Sequence, residues 1–153
     1  MVVEIHEDQP LPEPTTPTMQ LSAQFITQLD YGGAASIHPA RIDGGQLGWA
    51  SFRVPHDWTA PVSVEIVFWP RFTVVNNLTV DYYAGACGEA YNTHTVTTLN
   101  AIPLILDIEY CFDALADAPA FWAALNPGDN VKIRVSVNLI RNLWAETVVV
   151  RYS

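Results

Sequence analysis

Positive charge is scarce in this chain. One lysine, Lys132, and six arginines face sixteen acidic residues, for a net charge of −9. A phosphate backbone is held by a continuous basic face, and so few cations against that background cannot supply one. Nucleic acid and anionic membrane surfaces are therefore excluded as partners. Charge of either sign is low, at 15% of residues, where a soluble domain usually carries about a quarter. That suits a subunit whose surface is partly covered in an assembly better than a free monomer. Cysteine is rare too: Cys87 and Cys111 form no CxxC pair, which excludes a zinc ribbon or a thioredoxin-type motif. Spacing alone leaves a disulfide between them open, and two semi-buried thiols is the plainer reading. The four histidines, His6, His38, His56 and His94, show no i, i+2 or i, i+4 pairing, so the pattern of a zinc or iron site is missing. No metal or other cofactor is implied. No apolar run approaches the roughly 20 residues of a membrane-spanning helix. The opening MVVEIHEDQPLPEP has neither the basic nor the apolar segment of a secretory signal.

The length of 153 residues suits one domain, and half the residues are hydrophobic. A globule of that size buries roughly 70% of its unfolded surface. Residues 1–20 differ from the rest. Pro10, Pro12, Pro14 and Pro17 fix φ and remove backbone donors, so the segment reads as an extended arm that cannot pack a core of its own. Residues 21–153 read as the folded domain. There the pattern has period two: Val62, Val64, Ile66 and Phe68 share one face, as do Leu78, Val80 and Tyr82. Val131, Ile133, Val135 and Val137 alternate with Lys132, Arg134 and Ser136. Further strands are expected over Met19–Leu29, Gly48–Val54, Tyr91–Leu99, Pro103–Phe112 and Trp144–Tyr152. One stretch, DAPAFWAAL, predicts a short helix with Asp117 as N-cap and Pro119 in the first turn, ended by Asn126-Pro127-Gly128. About eight antiparallel strands and one short helix predict an all-β jelly-roll sandwich. An immunoglobulin-like sandwich is second, because no tryptophan lies between the cysteines.

Candidate chemistry is thin. GACGEAYNTHT, from Gly85 to Thr95, holds a cysteine, a glutamate and a histidine within eight residues. Two glycines between strands mark a turn, and His94 is seven residues beyond Cys87, too far along the chain for a nucleophile and its base. Asp107 and Glu109 in LDIEY fall on one face of the expected strand, roughly 7 Å apart. That separation suits glycoside hydrolysis, but a solvated strand face is the commoner meaning of such a pair. Asn77-Leu78-Thr79 matches the glycosylation acceptor pattern and is read as a chance match. The chain is not read as an enzyme. The five tryptophans are more telling. Trp49 and Trp69 fall on the face opposite the apolar residues of their strands, so their rings are either exposed or covered by another subunit. Flat exposed rings also stack on sugars, which makes a carbohydrate-binding β-sandwich module the alternative reading, with a glycan as partner.

FRVPHDW, EIVFWP, LNPGDNVKIRVSVNL and VVVRYS resemble a loose group of small jelly-roll virion proteins of tailed phages and related viruses. The matching positions are Phe52 to Trp58, Phe68–Trp69, Pro127 to Val135 and Tyr152. The resemblance implies a non-enzymatic structural protein, made in the host cytoplasm and assembled on a virion as capsid decoration or tail or fibre component. It implies a homotrimer attached to other proteins of the particle. On that reading Pro10, Pro12, Pro14 and Pro17 form a binding arm, and Trp49, Trp69 and Arg71 form the interface.

Overall fold

The computed structural model describes residues 17–28, 40–42, 47–137 and 143–153. Ten strands are described: β1 Met19–Gln24, β2 Ile26–Gln28, β3 Ala40–Ile42, β4 Leu47–Arg53, β5 Pro61–Pro70, β6 Val74–Gly85, β7 His94–Leu104, β8 Tyr110–Asp113, β9 Asn130–Val137 and β10 Leu143–Tyr152. Two short helices, α1 Ala114–Asp117 and α2 Pro119–Ala123, lie between β8 and β9. The strands form two antiparallel sheets. The first runs β1-β10-β5-β8, with β3 also pairing with β10; the second runs β2-β4-β9-β6-β7. This is the all-β sandwich expected from the alternation. No helix among the described residues is long and apolar enough to cross a membrane.

The alternation explains the layering. Val64, Ile66 and Phe68 of β5, Leu78, Val80 and Tyr82 of β6, and Val131, Ile133, Val135 and Val137 of β9 meet in one buried core. Intervening residues face outward, because successive side chains of a strand leave opposite faces. Val62 departs from its expected inward place and is 51% exposed. Ser63 pairs with Arg151 and Pro61 with Tyr152, so Val62 is the extra residue of a bulge that shifts the pleat.

The expected first strand, Met19–Leu29, is two strands in different sheets. β1 pairs with Thr147–Tyr152 of β10 in the first sheet, and β2 pairs with β4 in the second. The crossing point is Phe25, which is fully buried and whose N–H donates to the Glu146 carbonyl at 2.9 Å. Glu146 itself sits where the β10–β5 register shifts, so the bulge supplies the acceptor that frees the chain to change sheets. Among the described residues pairing begins at Met19, inside the segment assigned to the arm. Pro10, Pro12 and Pro14 lie outside the described residues, and Pro17 is exposed just ahead of β1.

Two local expectations are corrected. Pro103–Phe112 is not one strand: β7 ends at Leu104 and β8 starts at Tyr110. Asp107, in the intervening turn, has φ 59°, a left-handed conformation that Asp tolerates better than most residues. The Asp107 and Glu109 carboxylates therefore do not share a strand face. The expected helix is α2, whose N-cap is Ala118 with no side-chain bond, while Asp113 caps the preceding α1, its Oδ1 accepting from the Ala116 N–H at 3.0 Å. Asp117 faces the sheet and accepts hydrogen bonds from Tyr82 (2.8 Å), Thr98 (2.5 Å) and Asn100 (3.1 Å). One carboxylate thus ties the helical segment to β6 and β7. Two tryptophans belong to the core: Trp58 stacks on Tyr152 at 5.3 Å, and Trp122 donates its indole N–H to the Ala114 carbonyl at 2.9 Å.

The Tyr82 phenol is pushed well above the ordinary tyrosine range, first by burial and then by the bond to Asp117 and its charge. The fold therefore holds the neutral phenol. That contribution is complete below about pH 10, where an unfolded tyrosine titrates, and is lost as pH rises further because only the unfolded chain releases the proton readily. Tyr82→Phe is expected to cost about 1 kcal/mol near neutral pH and to make stability fall less steeply above about pH 10. Urea titrations at neutral and alkaline pH check this; equal alkaline slopes in the two proteins would contradict it.

Candidate functional site

GACGEAYNTHT spans the turn between β6 and β7. The Glu89 N–H donates to the Ala86 carbonyl at 3.0 Å, and the Glu89 carboxylate accepts from the Ala86 N–H at 3.0 Å. Gly88 has φ 94°, which a side chain would strain. A Cβ on Gly85 would lie 2.5 Å from the Ala90 carbonyl oxygen, so only glycine allows the loop to fold onto the strand end. Cys87 and Cys111 are free and exposed. Among the described residues no group of three or more histidine, cysteine, aspartate or glutamate side chains is placed to hold a metal.

What the turn does is border a groove on the outer face of the second sheet. Register builds that face in rows. Ile26, Trp49, Arg134, Asp81 and Thr97 stand side by side across all five strands. The next row is Ser51, Lys132, Tyr83 and Thr95, and the one beyond is Arg53, Asn130 and Gly85. Two adjoining depressions lie here. One, of about 300 Å³, is lined by Trp49, Ala50, Ser51 and Lys132. The other, of about 450 Å³, extends past Ser51 and Lys132 to Arg53, Asn130, Glu89 and Tyr91. Ser51 and Lys132 belong to both, so the two form one groove that runs from Trp49 past Lys132 and Tyr91 to Arg53 and Asn130.

Its aromatic wall is held by an ion pair. Asp81 is 4% exposed; it accepts from Arg134 Nε at 2.8 Å and from Thr97 Oγ1 at 2.6 Å. The hydrogen bond to Asp81 raises the Arg134 pKa above its ordinary value, keeping the guanidinium charged. Arg134 then lies 5.4 Å from the Trp49 ring centre and 5.5 Å from that of Tyr83, within the range of cation–π attraction. Trp49 and Tyr83 are stacked at 6.1 Å, and Tyr83 meets Tyr91 at 5.6 Å. Lys132 Nζ sits 5.1 Å above the Tyr91 ring. Burial raises the Tyr83 phenol, with the Asp81 charge adding to it, so Tyr83 stays a neutral hydrogen-bonding group.

The structure separates the residues expected to form one interface. Trp49 projects from the second sheet. Trp69 projects from the first, on the opposite side of the sandwich, where it stacks on Trp144 at 5.5 Å and 10°. Arg71 is exposed in the turn after β5. The indole Nε1 atoms of Trp49 and Trp144 are enclosed with no hydrogen-bond partner among the described residues, a cost of about 1–3 kcal/mol each. Sequence reasoning missed Ser51, Tyr83 and Tyr91 as groove residues. Ser51 and Tyr83 carry a signal, the polar face of strands whose other face is apolar; Tyr91 lies in the β6–β7 turn and carries none.

Removing the Asp81 carboxylate strands a cation and loosens the rings above it. Asp81→Ala is expected to cost about 2–3 kcal/mol, and an Asp81/Arg134 double-mutant cycle to give a coupling of about 1–2 kcal/mol. Chemical denaturation measures both; additive effects would mean that the pair is not a unit.

No family model matches the chain, and no curated protein matches it. Among solved structures, it is similar to a xylan-binding module, CBM15, with 8% sequence identity, 90% of this chain and 98% of that chain covered, and a TM-score of 0.41. Xylan binding is a property of that module.

Proposed function

We propose that this protein is a non-catalytic carbohydrate-binding β-sandwich whose site is the groove on the outer face of β2-β4-β9-β6-β7. The observation that carries this is a surface groove flanked by aromatic rings, Trp49 and Tyr91, with hydrogen-bonding side chains along its floor. Sugars present a C–H face and a rim of hydroxyls. The C–H face packs against the electron-rich face of an aromatic ring, and the hydroxyls need fixed donors and acceptors. Trp49 and Tyr91, the latter 55% exposed, offer rings. Ser51, Asn130 and Lys132 offer polar groups along the floor. An open, shallow groove of this kind accepts a chain rather than enclosing a small molecule.

A panel of soluble polysaccharides, read by tryptophan fluorescence and calorimetry, tests the reading. At least one polymer is expected to bind, and Trp49→Ala is expected to weaken it by about tenfold or more, equivalent to about 1.4 kcal/mol. Trp69→Ala, on the opposite face, is expected to leave affinity unchanged. Absence of binding across the panel, or equal loss in both variants, would end the proposal.

A second reading, a self-associating virion subunit, is favoured by a separate feature. Phe72, Val75, Ile105, Leu106 and Ile108 are each 40% exposed or more and cluster where the β5–β6 turn meets the turn between β7 and β8. Leu106 N–H donates to Thr73 Oγ1 at 3.0 Å, and Asp107 N–H to the Pro70 carbonyl at 3.2 Å, so the two turns are joined. Arg71 stands at this end. An apolar end of this size is a natural site for other copies of the chain. Light scattering is expected to give a trimer that Leu106→Asp dissociates; a monomeric parent protein would exclude it.

A further inference from the structure

We infer that the glycan taken by this groove is acidic, with its carboxylates read by Lys132 and Arg53; this rests on the carbohydrate-binding reading above. The chain has seven basic residues and a net charge of −9, yet three of the seven, Arg53, Lys132 and Arg134, stand on this one face. Arg134 is neutralised by Asp81. The other two have no carboxylate partner among the described residues. Lys132 Nζ rests over Tyr91. Arg53 Nε donates to the Gly128 carbonyl at 3.2 Å, which anchors the side chain and leaves its terminal N–H groups free to bind. Glu89, the acid lining the same groove, has one oxygen fixed by the Ala86 N–H and keeps its charge, so the two cations outnumber it two to one.

Register sets the spacing. Lys132 is opposite Ser51, and Arg53 is opposite Asn130, so the two cations are diagonal neighbours on one face, roughly 7–8 Å apart at the backbone. That spans the width of one sugar residue. A guanidinium grips a carboxylate through two parallel N–H bonds, while an ammonium acts as a point charge. The aromatic rings take the apolar face of the sugar, and the cations take the acid at its rim. Screening confines charge effects to about 8 Å at physiological ionic strength. A uronate in the groove therefore meets these cations more strongly than the distributed negative charge of the rest of the chain.

The test compares uronic-acid oligosaccharides with their carboxyl-reduced counterparts, in which each carboxylate becomes a neutral hydroxymethyl group on the same backbone. Calorimetry on the full chain is expected to show at least one acidic oligosaccharide binding about tenfold tighter than its reduced form. Lys132→Gln and Arg53→Gln are each expected to shrink that ratio, and the double variant to bring it close to one. The ligand pair tests the idea on the unaltered protein, so a variant that folds poorly does not decide it. Equal affinity for the acidic and reduced forms would overturn the inference and leave the carbohydrate reading standing. Failure of both forms and of all neutral glycans would remove both. Equal binding of inorganic polyphosphate would overturn it as a general anion site.

Discussion

The Asp81–Arg134 pair is the constraint on which the outer face of the second sheet depends. Arg134 is stacked against Trp49 and Tyr83 while its Nε is bonded to Asp81. A planar guanidinium can do both at once, stacking through its face and donating from its edge; an ammonium cannot. Asp81 in turn is fixed by Thr97 from the neighbouring strand. The pair therefore sets the tilt of two rings drawn from two non-adjacent strands. Tyr91 joins them through Tyr83, and the turn that carries Tyr91 closes against Gly85. A single shift in register would carry Arg134 and Asp81 into the core and Ile133 and Tyr82 out to solvent. Packing on the inner face thus enforces the arrangement on the outer one.

That division has a consequence for how the protein tolerates change. Each site strand holds its core with alternate residues and its groove with the others: Tyr82 beside Tyr83, Ile133 beside Lys132 and Arg134, Ala50 beside Trp49 and Ser51. Core stability and groove chemistry are therefore largely independent, with Asp81 the exception because it is buried and serves both. The inner face has its own acid, the half-buried Asp117, held by three donors. The two carboxylates act on opposite sides of β6, one seating the helical segment and the other organising the rings.

Much of this was legible in the sequence, and the gaps have physical causes. Period-two alternation identifies the strands and which side chains face inward, because burial of one face is a local property. It assigned Trp49 and Trp69 correctly to outer faces. It does not say which sheet a strand joins, so nothing in it separates two outward tryptophans that stand on opposite sides of the molecule. Alternation also hides the break at Phe25, since Ala23, Phe25 and Thr27 stay buried in turn as the chain changes sheets. LDIEY reads as a strand because its apolar residues alternate; in the fold Ile105, Leu106 and Ile108 are exposed, and Asp107 turns the chain. Asp117 reads as a helix cap because Pro119 follows it, but it ends α1, which Asp113 caps, and α2 starts from Ala118 with no side-chain cap. The groove was the least legible feature, because its residues come from three strands and a loop that only register brings together.

The two surfaces proposed to bind are compatible with each other. The apolar end lies by Val74, at the start of β6, and the groove turn follows Gly85, at its finish. At about 3.3 Å per residue, a twelve-residue strand separates them by roughly 35–40 Å. Copies gathered through the apolar end would leave every groove open and pointing outward. A shallow site that grips one or two sugars binds weakly alone, since few contacts are fully enclosed. Several such sites on one particle engage a repeating polymer together, and avidity then exceeds single-site affinity by about 10² to 10⁴ when the spacing allows simultaneous contact. The low charge content supports the same division. On these proposals, Lys132 and Arg53 would meet the ligand, and the exposed apolar side chains of the opposite end would meet other copies.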